Sequence, residues 1–243
     1  MIRKSLFKSR PSAPGGFRLR GQDVQRIETF SDGVFAFAVT LLIVSLEVPK
    51  TFEELLVSMR GFLAFGICFA LLVLLWYDQH VFFRRYALDD GKTIFLNACL
   101  LFIVLFYVYP LKFLFSLLFT DLIYGAGRSP FAIAVEEMPR LMVIYGLGYV
   151  AIYVLFLLMY RHALRRREEL ELTALEAYDT KSKIYAYLIL IGIGAGAIVL
   201  ALVLPARIAG VSGFFYMLIL PALTFYFRRR YRVRRRLFGI PLP

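Results

Sequence analysis

The side chains best placed to do chemistry are a carboxylate, an imidazole and an amide, Asp32, His80 and Asn97, each set within or at the end of a long apolar run. Other polar groups in such runs are Ser31, Thr40, Ser45, Asp78 and Lys112. A charge at membrane depth is costly unless it is paired or hydrated, so these few groups carry the information. Trp76, one helical turn before His80, adds an indole N–H donor to the matched donors and acceptors of the set. Arg26 precedes Asp32 by six residues and so lies on a different helix face; a salt bridge between them has to cross helices or subunits. Two readings stand: a structural polar staple, or a proton-sensitive latch, since a histidine beside a carboxylate can titrate near neutral pH. Enzyme chemistry is not indicated. The chain has 2 histidines and 2 cysteines, no His/Cys/carboxylate set at ligand spacing and no glycine-rich phosphate loop. Cys68 and Cys99 fall inside apolar runs and read as packing residues. No cofactor is implied.

The elements that must position these groups are transmembrane helices. With 60% hydrophobic and 19% charged residues and a mean hydropathy of +0.70, the 243-residue chain has more apolar surface than a soluble domain buries. Apolar runs at 30–48, 61–83, 93–119, 141–160, 184–204 and 211–227 approach or exceed the ~20 residues that span a bilayer. The expected fold is therefore an all-α integral membrane protein with six crossings, which places both termini on one side. Lys and Arg decide which side. The N-terminal arm, the second-to-third loop, the fourth-to-fifth loop and the tail hold seven, three, six and seven, which is 23 of the 29. Both ends are expected in the cytoplasm of a multi-pass cell-membrane protein. No cleavable signal peptide is expected, because the first apolar run begins about thirty residues in and carries Asp32.

The net charge of +12 is read as topology and contact with anionic lipid rather than nucleic-acid binding, with the arginine-rich 228–243 tail as the lipid-contact candidate. Residues 1–25, with Pro11, Pro14, Gly15 and Gly16 among basic residues, read as a mobile arm. Residues 26–227 form the membrane domain. The loop 161–183, with leucines at roughly helical spacing, is expected to prolong the fourth helix into the cytoplasm. Gly146, Gly148, Gly192, Gly194 and Gly196 are read as helix-packing sites, the pair Gly192 and Gly196 above all. The stretch 146–150, GLGYV, is like a carbonyl filter in composition but lies inside a full-length apolar run, where ordinary helix is the better reading.

At helical periodicity Phe30, Phe37, Leu41, Val44 and Val48 share one stripe of the first helix, with Thr40 at its edge and Asp32 pointing away. Core packing is the default for such a stripe.

Residues 26–42, RIETFSDGVFAFAVTLL, resemble the first-helix signature of the transmembrane protein 175 family, the lysosomal-type potassium channels and their prokaryotic relatives. Trp76-Tyr-Asp-Gln-His80 resembles the family's Trp-x-x-x-His at the end of helix two, and residues 90–110, through Asn97 to Pro110, are similar to its third helix. The resemblance covers roughly 26–110. It implies a prokaryotic-type six-helix subunit, a homotetramer around a pore lined by helix one, and potassium as the permeant ion with no carbonyl filter. By position it implies a constriction at Phe37, Leu41 and Val44 with Thr40 as a polar layer, and a signature of Phe30, Ser31 and Asp32 held by Arg26, Trp76, His80 and Asn97. The family usually carries Ile or Leu where this chain has Phe37. Lys112, after Pro110, also departs from its pattern and would snorkel to the outer interface. The rival readings are a proton-coupled transporter or proton leak using Asp32 and His80, and a non-conducting membrane scaffold.

Overall fold

A computed structural model describes residues 16–21, 23–44, 51–52, 62–124 and 134–239, without the side chains of 44 and 118–124. Six long α-helices run through them: α1 Arg26–Val44, α2 Phe62–Tyr86, α3 Gly91–Tyr124, α4 Met138–Arg165, α5 Ala174–Val203 and α6 Ile219–Phe238. Five spans, α2 to α5 and the 206–238 stretch containing α6, are long and apolar enough to cross a membrane. α1 is shorter and carries Arg26, Glu28 and Asp32. With these apolar helices the chain is a membrane protein.

Helix lengths follow from local chemistry. In lipid every backbone polar group must be satisfied within the protein, and hydroxyls obey the same rule by bonding their own helix. Ser31 Oγ donates to the Ile27 carbonyl at 2.7 Å and Thr40 Oγ1 to that of Ala36 at 3.0 Å. α3 has 34 residues around Pro110, a rise of roughly 50 Å that exceeds the hydrocarbon core. Asp90 precedes it and accepts from Thr93 Oγ1 at 2.7 Å. Asp90 also lies 2.9 Å from His162 Nε2 and 3.3 Å from Arg166, tying the α2–α3 turn to the end of α4. Burial pushes the Asp90 carboxyl up, yet the bonds from Thr93 and His162 and the Arg166 charge outweigh it and hold the group below its usual range.

Three expectations are corrected. α4 is prolonged into the 161–183 loop only as far as Arg165, and the rest of the loop's helix belongs to α5, because Thr173 and Glu176 form a capping box that starts it there. The sixth run is not one helix: Ala206–Leu218 is 3-10, after Pro205, and only Ile219 onward is α. α6 then continues as helix through Arg228 to Phe238. Among the glycines, a side chain at Gly196 would meet the Phe215 ring at 2.6 Å and one at Gly194 the Tyr149 ring at 2.7 Å, whereas Gly192 faces open space. The close approach therefore uses Gly194 and Gly196, not the pair four apart. Residues 146–150 are ordinary α4 helix, with Gly146 against Ile198 and Gly148 against Tyr107.

The N-terminal arm also departs from expectation where it is described; residues 1–15 and 22 lie outside the described residues. Phe17 is 2% exposed, edge-on to Tyr86 at 5.8 Å and under the Arg85 guanidinium at 4.8 Å. Arg20 and Gly21 donate their backbone N–H to the Arg84 carbonyl at 3.0 and 3.1 Å, and a side chain at Gly21 would strike the Phe83 carbonyl at 2.7 Å. The fully buried Glu176 accepts from Arg18 Nη2 at 3.0 Å, Arg20 Nη2 at 2.8 Å and the Thr173 backbone N–H at 2.9 Å. A buried carboxylate survives only with such complete pairing. This strap leads straight into α1.

Beneath it Phe82 and Tyr86 of α2, Phe156 and Tyr160 of α4 and Tyr187 of α5 form one aromatic cluster, with ring centroids 5.2–5.6 Å apart along its contacts. Tyr86 and Thr180 share a hydrogen bond at 2.7 Å. α1 packs on α2 and α3 beside this cluster.

Candidate functional site

α1 is two-sided. Ser31, Phe35, Ala38 and Leu42, spaced by four, three and four, are at most 5% exposed and pack against α2 and α3. On the other side Phe30 is 64% and Phe37 55% exposed, and Asp32, Gly33, Ala36 and Thr40 are exposed with them. Leu41 is half-buried at the margin. Val44 ends α1 with its side chain outside the described residues, as is all of Val48. The stripe read from periodicity is thus not core of the subunit: Phe30 and Phe37 point away from it.

The polar groups form two linked sets rather than one cluster. In the buried set Asn97 Nδ2 donates to Ser31 Oγ at 2.9 Å while its Oδ1 accepts from Gln79 Nε2 at 2.5 Å. Ser31, Gln79 and Asn97 are 0–2% exposed, so this chain joins α1, α2 and α3 away from water. In the outer set Trp76 Nε1 donates to Asp32 Oδ1 at 2.7 Å, and His80 stacks on Trp76 with centroids 5.5 Å apart. Asp32 is the polar end of an apolar cleft of about 300 Å³ between α1 and α2, bounded by Val39, Leu72 and Trp76. Arg26 is exposed at the first position of α1 and has no ion pair among the described residues. His80 and Asp32 are not hydrogen-bonded to each other among the described residues.

Gln79 is the participant that sequence reasoning missed. Its signal was available: an amide within an apolar run, adjacent to His80, but a helix position apart in azimuth, so that it turns to α3 while His80 turns to Trp76. Asp78 pairs with Lys183 of α5 at 2.9 Å, a structural tie. Lys112 donates to the Leu42 carbonyl at 3.0 Å, so it closes on the far end of α1 instead of snorkelling alone. Cys68 is buried and Cys99 half-buried, both as free thiols. Among the described residues no group of three or more His, Cys, Asp or Glu side chains could hold a metal.

Residues 26–107 match the family model described as the endosomal/lysosomal potassium channel TMEM175. A potassium channel of Marivirga tractuosa is 40% identical over 248 residues, covering 96% of this chain and 98% of the relative. Among solved structures, the crystal structure of a variant of the potassium channel MtTMEM175, bound to a nanobody fusion, superposes with a TM-score of 0.80 at 40% identity, covering 90% of this chain and 98% of that one. A lysosomal potassium-selective channel TMEM175 homologue from Chamaesiphon minutus gives a TM-score of 0.53 at 25% identity, over 84% of this chain and 96% of that one. The two-sided α1, its polar anchorage to α2 and α3, and this near full-length similarity lead to one conclusion: the chain belongs to the TMEM175 family of potassium channels.

Proposed function

We propose that four copies assemble in the cell membrane as a potassium-permeable cation channel, each crossing six times with both termini cytoplasmic. In this reading α1 lines the central path, Phe37, Leu41 and Val44 narrow it, Thr40 adds a polar layer, and no carbonyl filter is used. The observation that carries the reading is the division of α1: one face locked to α2 and α3, the other bearing Phe30, Phe37 and Thr40, which are exposed among the described residues. The names of the relatives as potassium channels support the ion. Ser31, Asp32, Trp76, His80 and Asn97 hold the azimuth of α1, and Arg26 stands at its entrance.

A ring of apolar side chains passes an ion only when it is wide enough to stay wet, so gating is a change of width and hydration. Potassium sheds water more readily than sodium, and a dehydrating constriction therefore favours it, with modest discrimination in the absence of coordinating carbonyls. Four phenylalanines close the axis more firmly than branched aliphatics would. In liposomes under a potassium gradient, Phe37→Ala is expected to raise potassium flux by roughly tenfold, about 1.4 kcal/mol off the barrier, and to narrow the gap between potassium and sodium reversal potentials. Unchanged flux in a variant that stays tetrameric places the constriction elsewhere. A current that follows the proton gradient and disappears in Asp32→Asn replaces the channel with the proton pathway.

A further inference from the structure

The arginines of α6 sort onto two faces. Arg230 and Arg234, one turn apart, face the bundle: Arg230 Nε donates to Ser182 Oγ at 3.0 Å with its guanidinium over the Tyr178 ring at 4.1 Å, and the buried Arg234 donates to Asp179 at 3.0 Å. Arg228, Arg229, Arg232, Arg235 and Arg236 are exposed and have no ion pair among the described residues. Two shallow, open grooves, lined by α6 side chains alone, lie on this outer face. One, of about 760 Å³, runs from Leu220, Leu223 and Phe227 to Arg228 and Arg232. The other, of about 370 Å³, is bounded by Tyr231, Arg232, Arg235 and Arg236. Tyr231 and Arg232 border both, so an apolar trough passes without a break into a cationic one.

That sequence of surfaces specifies its occupant. A soluble anion would use only the basic end, and a neutral hydrocarbon only the apolar end. An amphiphile with an acyl chain and a negative headgroup fills both, and the apolar end belongs to a span long enough to lie in the bilayer, where such molecules arrive by lateral diffusion. Diffuse attraction of a basic tail to a membrane needs no groove and no order among its charges. Here the arginines at 228, 232 and 235 recur at helical spacing along the grooves, while Arg230 and Arg234 are occupied within the subunit.

We propose that the outer face of α6 is a stoichiometric site for an anionic phospholipid, with its acyl chain along Leu220, Leu223 and Phe227, its phosphate between Arg228 and Arg232, and further headgroup charge met by Arg235 and Arg236. The site is independent of whether the protein conducts. The test is native mass spectrometry of the assembled protein after reconstitution in equal parts phosphatidylglycerol and phosphatidylcholine. Retention of phosphatidylglycerol at one per chain, in preference to phosphatidylcholine, is expected. Arg228→Gln with Arg232→Gln should lower that retention roughly tenfold or more. Arg165→Gln with Arg229→Gln, which removes equal charge outside both grooves, should leave it unchanged. Equal loss in the two double variants, equal retention of the two lipids, or full displacement by glycerol phosphate would each overturn the site in favour of a general anionic surface. Disulfide cross-linking between copies through Arg232→Cys would overturn it in favour of a subunit contact.

Discussion

Asn97 joins three helices because an amide can donate and accept at once, and here it does both without water. Replacing it by Ala leaves the Gln79 amide and the Ser31 hydroxyl buried with one partner fewer each. Interhelical hydrogen bonds in membranes contribute about 1 kcal/mol, and a stranded buried donor adds to the loss. Asn97→Ala is therefore expected to destabilise the solubilised protein by about 1–2 kcal/mol, read as a lower unfolding temperature. Gln79→Ala should cost a similar amount, and the double variant less than the sum, because one chain of bonds is broken in both cases. Additive losses would show that Gln79 and Asn97 act separately. Thr40→Ala, whose hydroxyl bonds only its own helix on an exposed face, should leave the melt unchanged.

At the scale of elements, hydropathy made the helices legible and long-range pairing hid the rest. The runs at 61–83, 93–119 and 141–160 each lie inside an observed helix or nearly so, because a membrane leaves a long apolar segment few alternatives to helix. The groups that anchor α1 were also legible at Ser31, Asp32, Trp76 and Asn97, as polar residues in apolar surroundings that must find partners. The strap was not. Composition alone makes residues 16–21 look like solvent-exposed chain, and what orders them is a carboxylate more than 150 residues away, a pairing no local pattern carries. The same carboxylate caps α5, so the start of that helix and the path into α1 depend on one side chain. Glu176→Gln keeps the shape and removes the charge that two arginines share. Cleavage by trypsin at Arg18 and Arg20 is expected to quicken by roughly tenfold as the strap opens more often, with helix content by circular dichroism unchanged. Cleavage at the wild-type rate would mean that Phe17 and the backbone bonds to Arg84 hold the strap without Glu176.

For the whole molecule, exposure on one chain does not by itself distinguish a pore from lipid. Phe102 and Phe106 of α3 are 71% and 70% exposed and Leu202 of α5 67%, comparable with Phe30 and Phe37. The difference lies in what accompanies them. The outer faces of α3 and α5 near these residues are apolar, as lipid requires, whereas the open side of α1 also carries Asp32 and Thr40. Polar groups turned to hydrocarbon are costly, so this side belongs against water or another subunit, and a central path supplies both. Reactivity toward a charged thiol reagent separates the environments, because thiols react as thiolates, which form in water and not in hydrocarbon. With Cys68 and Cys99 replaced by Ala, Thr40→Cys in the reconstituted protein is expected to be modified from the aqueous phase, and the added bulk and charge should remove most of the potassium flux. Phe106→Cys should stay unmodified, with flux intact. The reverse pattern, Phe106→Cys labelled and Thr40→Cys inert, would put α3 on the water-filled path and turn the exposed side of α1 toward lipid.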